Sequence, residues 1–331
     1  MKAMLMTHPG GPEVLDLTEI DKPEITSPTQ IKVRLRAAGV NPVDTKLRSR
    51  GVFFPDALPA VLGCDGAGEV VATGPAVTRF KPGDEVWLCN GGLGREPGNY
   101  AEYTLVDESV AQPKPASLGF VEAAAAPLVL LTAWEALFDR ARLEAGHTVL
   151  IHAGAGGVGH VAIQLAHRAG ARVCATVSSD EKERMVRALG AEEVIRYREQ
   201  DLVKAVIDWT QGQGVDVALD TVGPAVFRQT LPAMAHYGSL ITILDPGPDV
   251  DWKEARMRNL RIGFEMMLTP QLSDLPEARA HQGEILRRCS GPLERGELRI
   301  EVQRTFPLEQ TADAHRLLEQ GHVQGKLVLT I

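Results

Sequence analysis

Residues 154–159, Gly-Ala-Gly-Gly-Val-Gly, form a turn that can lie against a phosphate. Glycines at 154, 156 and 159 permit a tight turn and a close backbone approach to a pyrophosphate. Val158, Val161, Ala162, Leu165 and Ala166 then recur at helical spacing. A helix starting there points free N–H groups and the positive end of its dipole into the turn. A lone G-x-G-x-x-G is a weak signal. Here the apolar run "TVLIHA" precedes it and the helical run follows, which is the context the mechanism requires. Gly154, Gly156, Gly157, Val158 and Gly159 are therefore the candidate phosphate-binding residues.

A second group of polar residues follows the next strand, "RVCATV". An NAD site carries an acid at that strand's end, for the ribose 2′-OH. Here Ser178 and Ser179 stand there, and Asp180 comes slightly late; it reads as the N-cap of the helix "EKERMVRALG". Lys182 and Arg184 can pair with a 2′-phosphate, and Tyr197 ends the third strand beside the same corner. The pattern favours NADP(H) over NAD(H), and an inward-turned Asp180 would reverse the preference.

Cys64 and Asp65, in "VLGCDGAGEV", are both metal-donor types. Two donors do not complete a tetrahedral zinc site, so a distant histidine such as His8 or His152 would have to join them. The four cysteines, at 64, 89, 174 and 289, form neither a Cys-x-x-Cys site nor a disulfide framework. Cys64 reads by default as a small buried hydrophobe, and Asp65 as a turn or hydrogen-bonding residue.

The elements that must carry these residues fall into two patterns. Residues 1–115 read as short strands and turns. In "IKVRLRAAG", Ile31, Val33 and Leu35 alternate with Lys32, Arg34 and Arg36, as in a half-buried strand. The stretch "SLGFVEAAAAPLVLLTAWEALFDRA" reads helical, with Ser117 as N-cap and a break at Pro127. From Thr148, apolar strands alternate with amphipathic helices, the pattern of a doubly wound parallel sheet. After residue 268 a helix near 275–295, a strand, a helix and the strand "KLVLTI" follow, and this tail is expected to return to the first domain. The fold class is thus α/β, with domains at 1–120 and 121–268 and a returning segment at 269–331.

"GGPEVLDLTEI", "AAGVNPVDTKLRS", "GCDGAGEVVATG", "FKPGDEVW", "AAAAPLVLLTAWEAL", "HAGAGGVGHVAIQLA" and "GKLVLTI" occur in that order. Together they resemble the medium-chain dehydrogenase/reductases, in their zinc-independent quinone oxidoreductase (zeta-crystallin-like) branch. The resemblance implies a GroES-like β-domain plus a Rossmann domain, with the cofactor in the cleft. It also implies that Asn41 replaces a zinc-ligating cysteine, that Cys64 replaces a histidine, and that the third ligand position falls near Pro127-Leu128. On the same resemblance Asn41 lies near the nicotinamide and the substrate oxygen, where its amide can donate to a developing oxyanion. Thr132 matches a threonine close to the nicotinamide ribose, and Asp44, one turn beyond Asn41, orders that segment. The expected activity is hydride transfer from NADPH to a quinone or enone, with the proton supplied by solvent. Lys46, "SRGVFFPDALPA" and "ITILDPGPDVD" depart from the family pattern around the expected substrate cleft. The competing readings are an NADPH-binding protein with little turnover and a zinc-type alcohol dehydrogenase.

The totals exclude other classes. Net charge is −8 and no Lys/Arg run occurs, which argues against nucleic acid and anionic membranes. No signal-peptide core or 18-residue apolar run is present, so a cytoplasmic protein is expected. "LRIGFEMML", at 260–268, is apolar enough to pair with a second copy, and a homodimer is expected.

Overall fold

The computed structural model describes residues 1–331. The chain divides into two compact units, residues 1–128 with 268–331, and residues 129–267. No helix is long and apolar enough to cross a membrane.

The first unit is organised around the strand Gln30–Val40. Its first half alternates buried Ile31, Val33 and Leu35 with more exposed lysine and arginine, but from Ala37 to Val40 every residue is buried. That change has a topological cause: the strand pairs antiparallel with Asp65–Thr73, with Tyr103–Asp107 and with Lys326–Thr330. Ile31, Val33, Leu35, Val70, Val86, Leu88 and Val106 form the core beneath it, each contributing roughly 1.5–3 kcal/mol by burial. Gly39 pairs with Asp65 on one side and Val328 on the other. A Cβ at Gly39 would lie 2.4 Å from the Ala124 carbonyl oxygen, so only glycine permits this approach.

Asn41 ends the strand in extended conformation and caps the helix Pro42–Arg50. Pro42 has no N–H to leave unsatisfied in the first turn, and Asp44 complements the dipole there. This helix adds to the strand-and-turn reading of residues 1–115. The Ala/Leu-rich stretch is broken at Pro127, as expected, into Phe120–Ala125 and Pro127–Trp134, and a π-helix covers Glu135–Arg140. Ser117 is not the N-cap. Gly119 holds that position, and the Ser117 hydroxyl donates to the Leu293 carbonyl at 3.2 Å.

The second unit is a six-stranded parallel sheet. Its spatial order is Glu193–Arg196, Arg172–Val177, Thr148–Ile151, Val215–Asp220, Met234–Thr242, Arg261–Phe264. Counted along the chain this is the order 3-2-1-4-5-6 of a doubly wound dinucleotide-binding sheet. Val149, Leu150, Val173, Ala175, Ala218 and Leu240 are buried, because helices cover the sheet. Arg261–Phe264 is an edge strand, and Phe264 and Met266 beside it are exposed.

Candidate active site

In the second unit the strand Thr148–Ile151 delivers the chain to the glycine turn at the point where strand order reverses. Ala153 adopts a left-handed conformation (φ 49°), and the Gly154 N–H donates to the Thr176 carbonyl at 2.9 Å. The helix Gly157–Arg168 starts behind Gly156, which offers no side-chain cap, so its first N–H groups face the turn. The glycines divide their roles. A Cβ at Gly159 would lie 2.4 Å from the Ala153 carbonyl oxygen, and one at Gly154 would lie 2.9 Å from the Ala175 methyl. At Gly156 the only neighbour within 4 Å would be the Ala153 oxygen at 3.1 Å, so its other side is open to a ligand. These residues fit a pyrophosphate.

His152, weighed above as a metal donor, is committed elsewhere. Its Nε2 lies 2.8 Å from the Thr230 hydroxyl, and its Nδ1 lies 3.4 Å from that of Thr176. Burial depresses its pKa to about 3, which keeps the ring neutral.

At the end of Arg172–Val177, Ser179 and not Asp180 caps the next helix, its hydroxyl accepting from the Lys182 N–H at 3.4 Å. Asp180 is the first helical residue, and its carboxylate pairs with Arg196, which also reaches Glu199 at 3.1 Å. The Tyr197 N–H donates to the Val177 carbonyl at 3.2 Å, bringing residues 178–182 and 197–198 to one corner. Ser178 and Lys182 are half-buried there, and Tyr197 is exposed. Burial, then the charge of Arg198, lowers the Lys182 pKa. At this corner Arg196 holds Asp180 and Glu199, and Lys182 lies between the opposing charges of Arg198 and Glu181.

Thr132 is buried in the helix Pro127–Trp134. One turn on, Glu135 meets Glu265, which follows the edge strand, and Arg140 lies 3.0 Å from the same Glu265 carboxylate. Burial first, then the neighbouring Glu135, raises the Glu265 pKa to about 9. Nothing in the sequence pointed to this pair, whose members lie far apart in the chain.

In the first unit the strand registers and the helices Pro42–Arg50 and Thr311–Gln320 bring Asn41, Asp44, Cys64, Asp65, Cys89, Tyr100, His315 and Lys326 together. Asn41, Asp44 and Asp65 have no exposed surface. Asn41 Nδ2 donates to Asp65 Oδ2 at 2.8 Å, and its Oδ1 accepts from the Lys326 ammonium. Asp65 Oδ1 accepts the Leu128 N–H at 2.8 Å. Asp44 Oδ2 accepts the Asn41 N–H at 2.8 Å and the Tyr100 hydroxyl at 2.9 Å, and that hydroxyl lies 3.3 Å from His315 Nε2. Burial lifts Asp44 to about 7 against the lowering effect of these hydrogen bonds. Burial and the charge of Arg48 depress His315 to about 3.

Cys64 Sγ lies 3.9 Å from Asp44 Oδ1, and burial pushes the thiols of Cys64 and Cys89 well up. Cys64 is thus a protonated buried side chain, the default reading above. The residues do not fit zinc. At the positions where the family resemblance puts zinc ligands stand Asn41, Cys64 and Pro127-Leu128, an ammonium group occupies the cluster, and no three His, Cys, Asp or Glu residues are grouped to hold a metal ion. Of this cluster the sequence reading gave roles to Asn41, Asp44, Cys64 and Asp65 and counted Cys89 only among the dispersed cysteines; Tyr100, His315 and Lys326 were missed. The closing "GKLVLTI" carried the one available signal, a lysine at the start of the strand that pairs with Val40.

Known proteins resemble the chain over its whole length. Residues 27–116 match the alcohol dehydrogenase GroES-like domain, and residues 189–329 match a family described as zinc-binding dehydrogenase. The quinone oxidoreductase of Pseudomonas aeruginosa is 35% identical over 97% of this chain and 96% of its own. The Escherichia coli quinone oxidoreductase, solved in complex with NADPH, is 29% identical with a TM-score of 0.88, covering 100% of both chains. A structure described as an NAD-dependent alcohol dehydrogenase is 35% identical with a TM-score of 0.90, again over 100% of both. With a GroES-like unit, a doubly wound dinucleotide fold and a ligand cluster that excludes zinc, the chain belongs to the medium-chain dehydrogenase/reductase superfamily, in its zinc-independent quinone oxidoreductase branch.

Proposed function

We propose that the protein is an oxidoreductase that transfers hydride from NADPH to a quinone or an α,β-unsaturated carbonyl. One observation carries the choice of cofactor: after burial, the charge of Arg198 lowers the Lys182 pKa more than the neighbouring Glu181 raises it, while Arg196 occupies the carboxylate of Asp180. A 2′-phosphate supplies the charge this corner lacks, and a 2′-hydroxyl does not. NADPH, when bound, supplies the hydride.

The backbone of Gly154, Gly156, Gly157, Val158 and Gly159 receives the pyrophosphate; Ser178, Lys182 and Tyr197 receive the 2′-phosphate. Thr132 is assigned to the nicotinamide ribose, and Asn41 to the nicotinamide and the substrate oxygen. Asp44 holds the Asn41 turn through the Asn41 N–H. The side chains of the buried cluster do not group as a metal-ligand set that would polarise a simple carbonyl. A conjugated acceptor suits it, because the enolate or phenolate formed needs less stabilisation than an alkoxide. Positioning then supplies most of the rate, and solvent supplies the proton.

Steady-state oxidation of NADPH and NADH with a panel of quinones and 2-alkenals tests this reading. NADPH is expected to be preferred by about tenfold or more, as loss of a charged contact dictates. Equal use of NADH overturns the cofactor assignment. Tight NADPH binding without oxidation across the panel overturns the activity and leaves a dinucleotide-binding protein. That second reading draws on one observation, the complete burial of the Asn41 amide and its engagement at both ends. We further propose that the exposed Arg261–Phe264 edge pairs with a second copy; a monomeric mass by light scattering contradicts it.

A further inference from the structure

The cluster around Asn41 contains an ammonium group that the proposed chemistry does not use. Lys326 is buried, and its Nζ donates to the Val40 carbonyl at 3.1 Å and to Asn41 Oδ1, and lies 3.6 Å from Asp65 Oδ2. Asp65 reaches back to Asn41 Nδ2 and across to the Leu128 N–H. One ion pair therefore ties down the end of the central strand, the side chain at 41 and the backbone at 128. Cys64 is the chain neighbour of its acid. Positions 41, 64 and 127–128 are those at which the family resemblance places zinc ligands.

A buried ion pair is a poor means of stabilising a protein, since well-packed apolar residues of the same volume do as well or better. What it provides here is orientation. An ammonium only donates and a carboxylate only accepts. An Asn41 amide turned end for end would put its NH₂ against Lys326 and its oxygen against Asp65, two repulsive contacts between buried groups. The flip state of Asn41 is fixed by charge on both sides.

We infer that Lys326, with Asp65 as its counter-ion, is the positioning residue of this site, holding the Asn41 amide in a single orientation and the 40–44 turn in a single place. The inference rests on the site role proposed for Asn41. It makes the lysine a substitute for the organising part of a metal's work and gives it no part in bond-making.

The test compares wild type, Lys326→Met, and Lys326→Met combined with Asp65→Asn. The double variant removes both charges, so that a folded protein is obtained even if the single variant does not fold. Hydrogen exchange by mass spectrometry over residues 40–50 is expected to speed up about tenfold in the double variant, with the 148–177 peptides unchanged. Its kcat with the best acceptor is expected to fall about 10- to 100-fold, while the dissociation constant for NADPH stays within about threefold. If the double variant is folded and either its exchange at 40–50 or its kcat matches wild type, Lys326 merely balances the charge of Asp65 and the inference falls. Should wild type fail to oxidise NADPH with every acceptor of the panel, the functional reading fails, and the exchange measurement alone decides the role of Lys326.

Discussion

The unit spanning residues 129–267 builds its candidate phosphate site from backbone, over a few consecutive residues at 153–159. The other unit builds its polar cluster from side chains, and two that bond directly, Asn41 and Lys326, lie 285 positions apart. The first kind of site needs only that no Cβ intrude and that a helix start in the right place. The second needs correct strand registers, exclusion of water and matching of every buried donor with an acceptor. The difference sets how each site fails. A backbone site is lost by adding atoms, a side-chain site by removing one charge.

Removing a charge is expected to have the largest effect. Asp65→Ala leaves Lys326 buried without its carboxylate and the Leu128 N–H without an acceptor. A loss of roughly 3–5 kcal/mol is expected by urea unfolding; a loss below about 1 kcal/mol would show that the cluster does not behave as a buried ion pair. Adding atoms comes next. Gly159→Val places a side chain against the Ala153 carbonyl, which is backbone and cannot turn aside. A weakening of NADPH binding by about 100-fold is expected, with a stability loss of roughly 1–3 kcal/mol. Binding at wild-type strength would break the description of this turn as a backbone site.

Lys182→Ala sharpens the comparison within the second unit, where a side chain is assigned to supply cofactor choice. NADPH affinity is expected to fall about tenfold with NADH affinity unchanged, measured by fluorescence titration. A parallel loss for both nucleotides would remove Lys182 from the 2′-phosphate site.

The smallest effect is read as a slope. Asp44 is raised to about 7 in the folded protein, so its protonated form favours folding. That contribution is complete below the unfolded value near 4 and is lost as pH rises toward 7. His315, depressed to about 3, acts with the opposite sign. Its contribution is complete above about 6.5 and is lost as pH falls toward 3. Asp44→Asn is expected to change the slope of stability against pH between 4 and 7 by on the order of 1 kcal/mol per pH unit, toward greater stability at neutral pH. A slope identical to wild type would mean that Asp44 is ionised throughout.

The same contrast explains what was legible in the sequence. The glycine turn, its strand and its helix are consecutive, so periodicity and glycine spacing exposed them together. Resemblance led to Asn41 and Thr132, and it marked Cys64 as the substitute for a ligand. Lys326 and Tyr100 entered the site through strand pairing, which no local pattern encodes, and His315 through the packing of a helix. Ser117 and Asp180 were assigned as caps on residue type alone. In each case the helix began at a different residue: Gly119 took the cap position from Ser117, and Ser179 took it from Asp180, whose charge went to Arg196. Glu135 and Glu265 were invisible because two acids distant in sequence read as solvated charges until the fold buries them side by side.

The pairing of Gln30–Val40 with Lys326–Thr330 also has a consequence in time. A ribosome finishes Asn41 and Asp65 long before it reaches Lys326. At about 5–20 residues per second the wait is roughly 15–60 s. During that interval the 129–267 unit is complete in sequence and free to fold, whereas the acid at 65 still lacks its cation. Until the closing strand arrives, Asp65 in the nascent first unit is without the cation that neutralises it in the finished fold, and water or a proton must take that place.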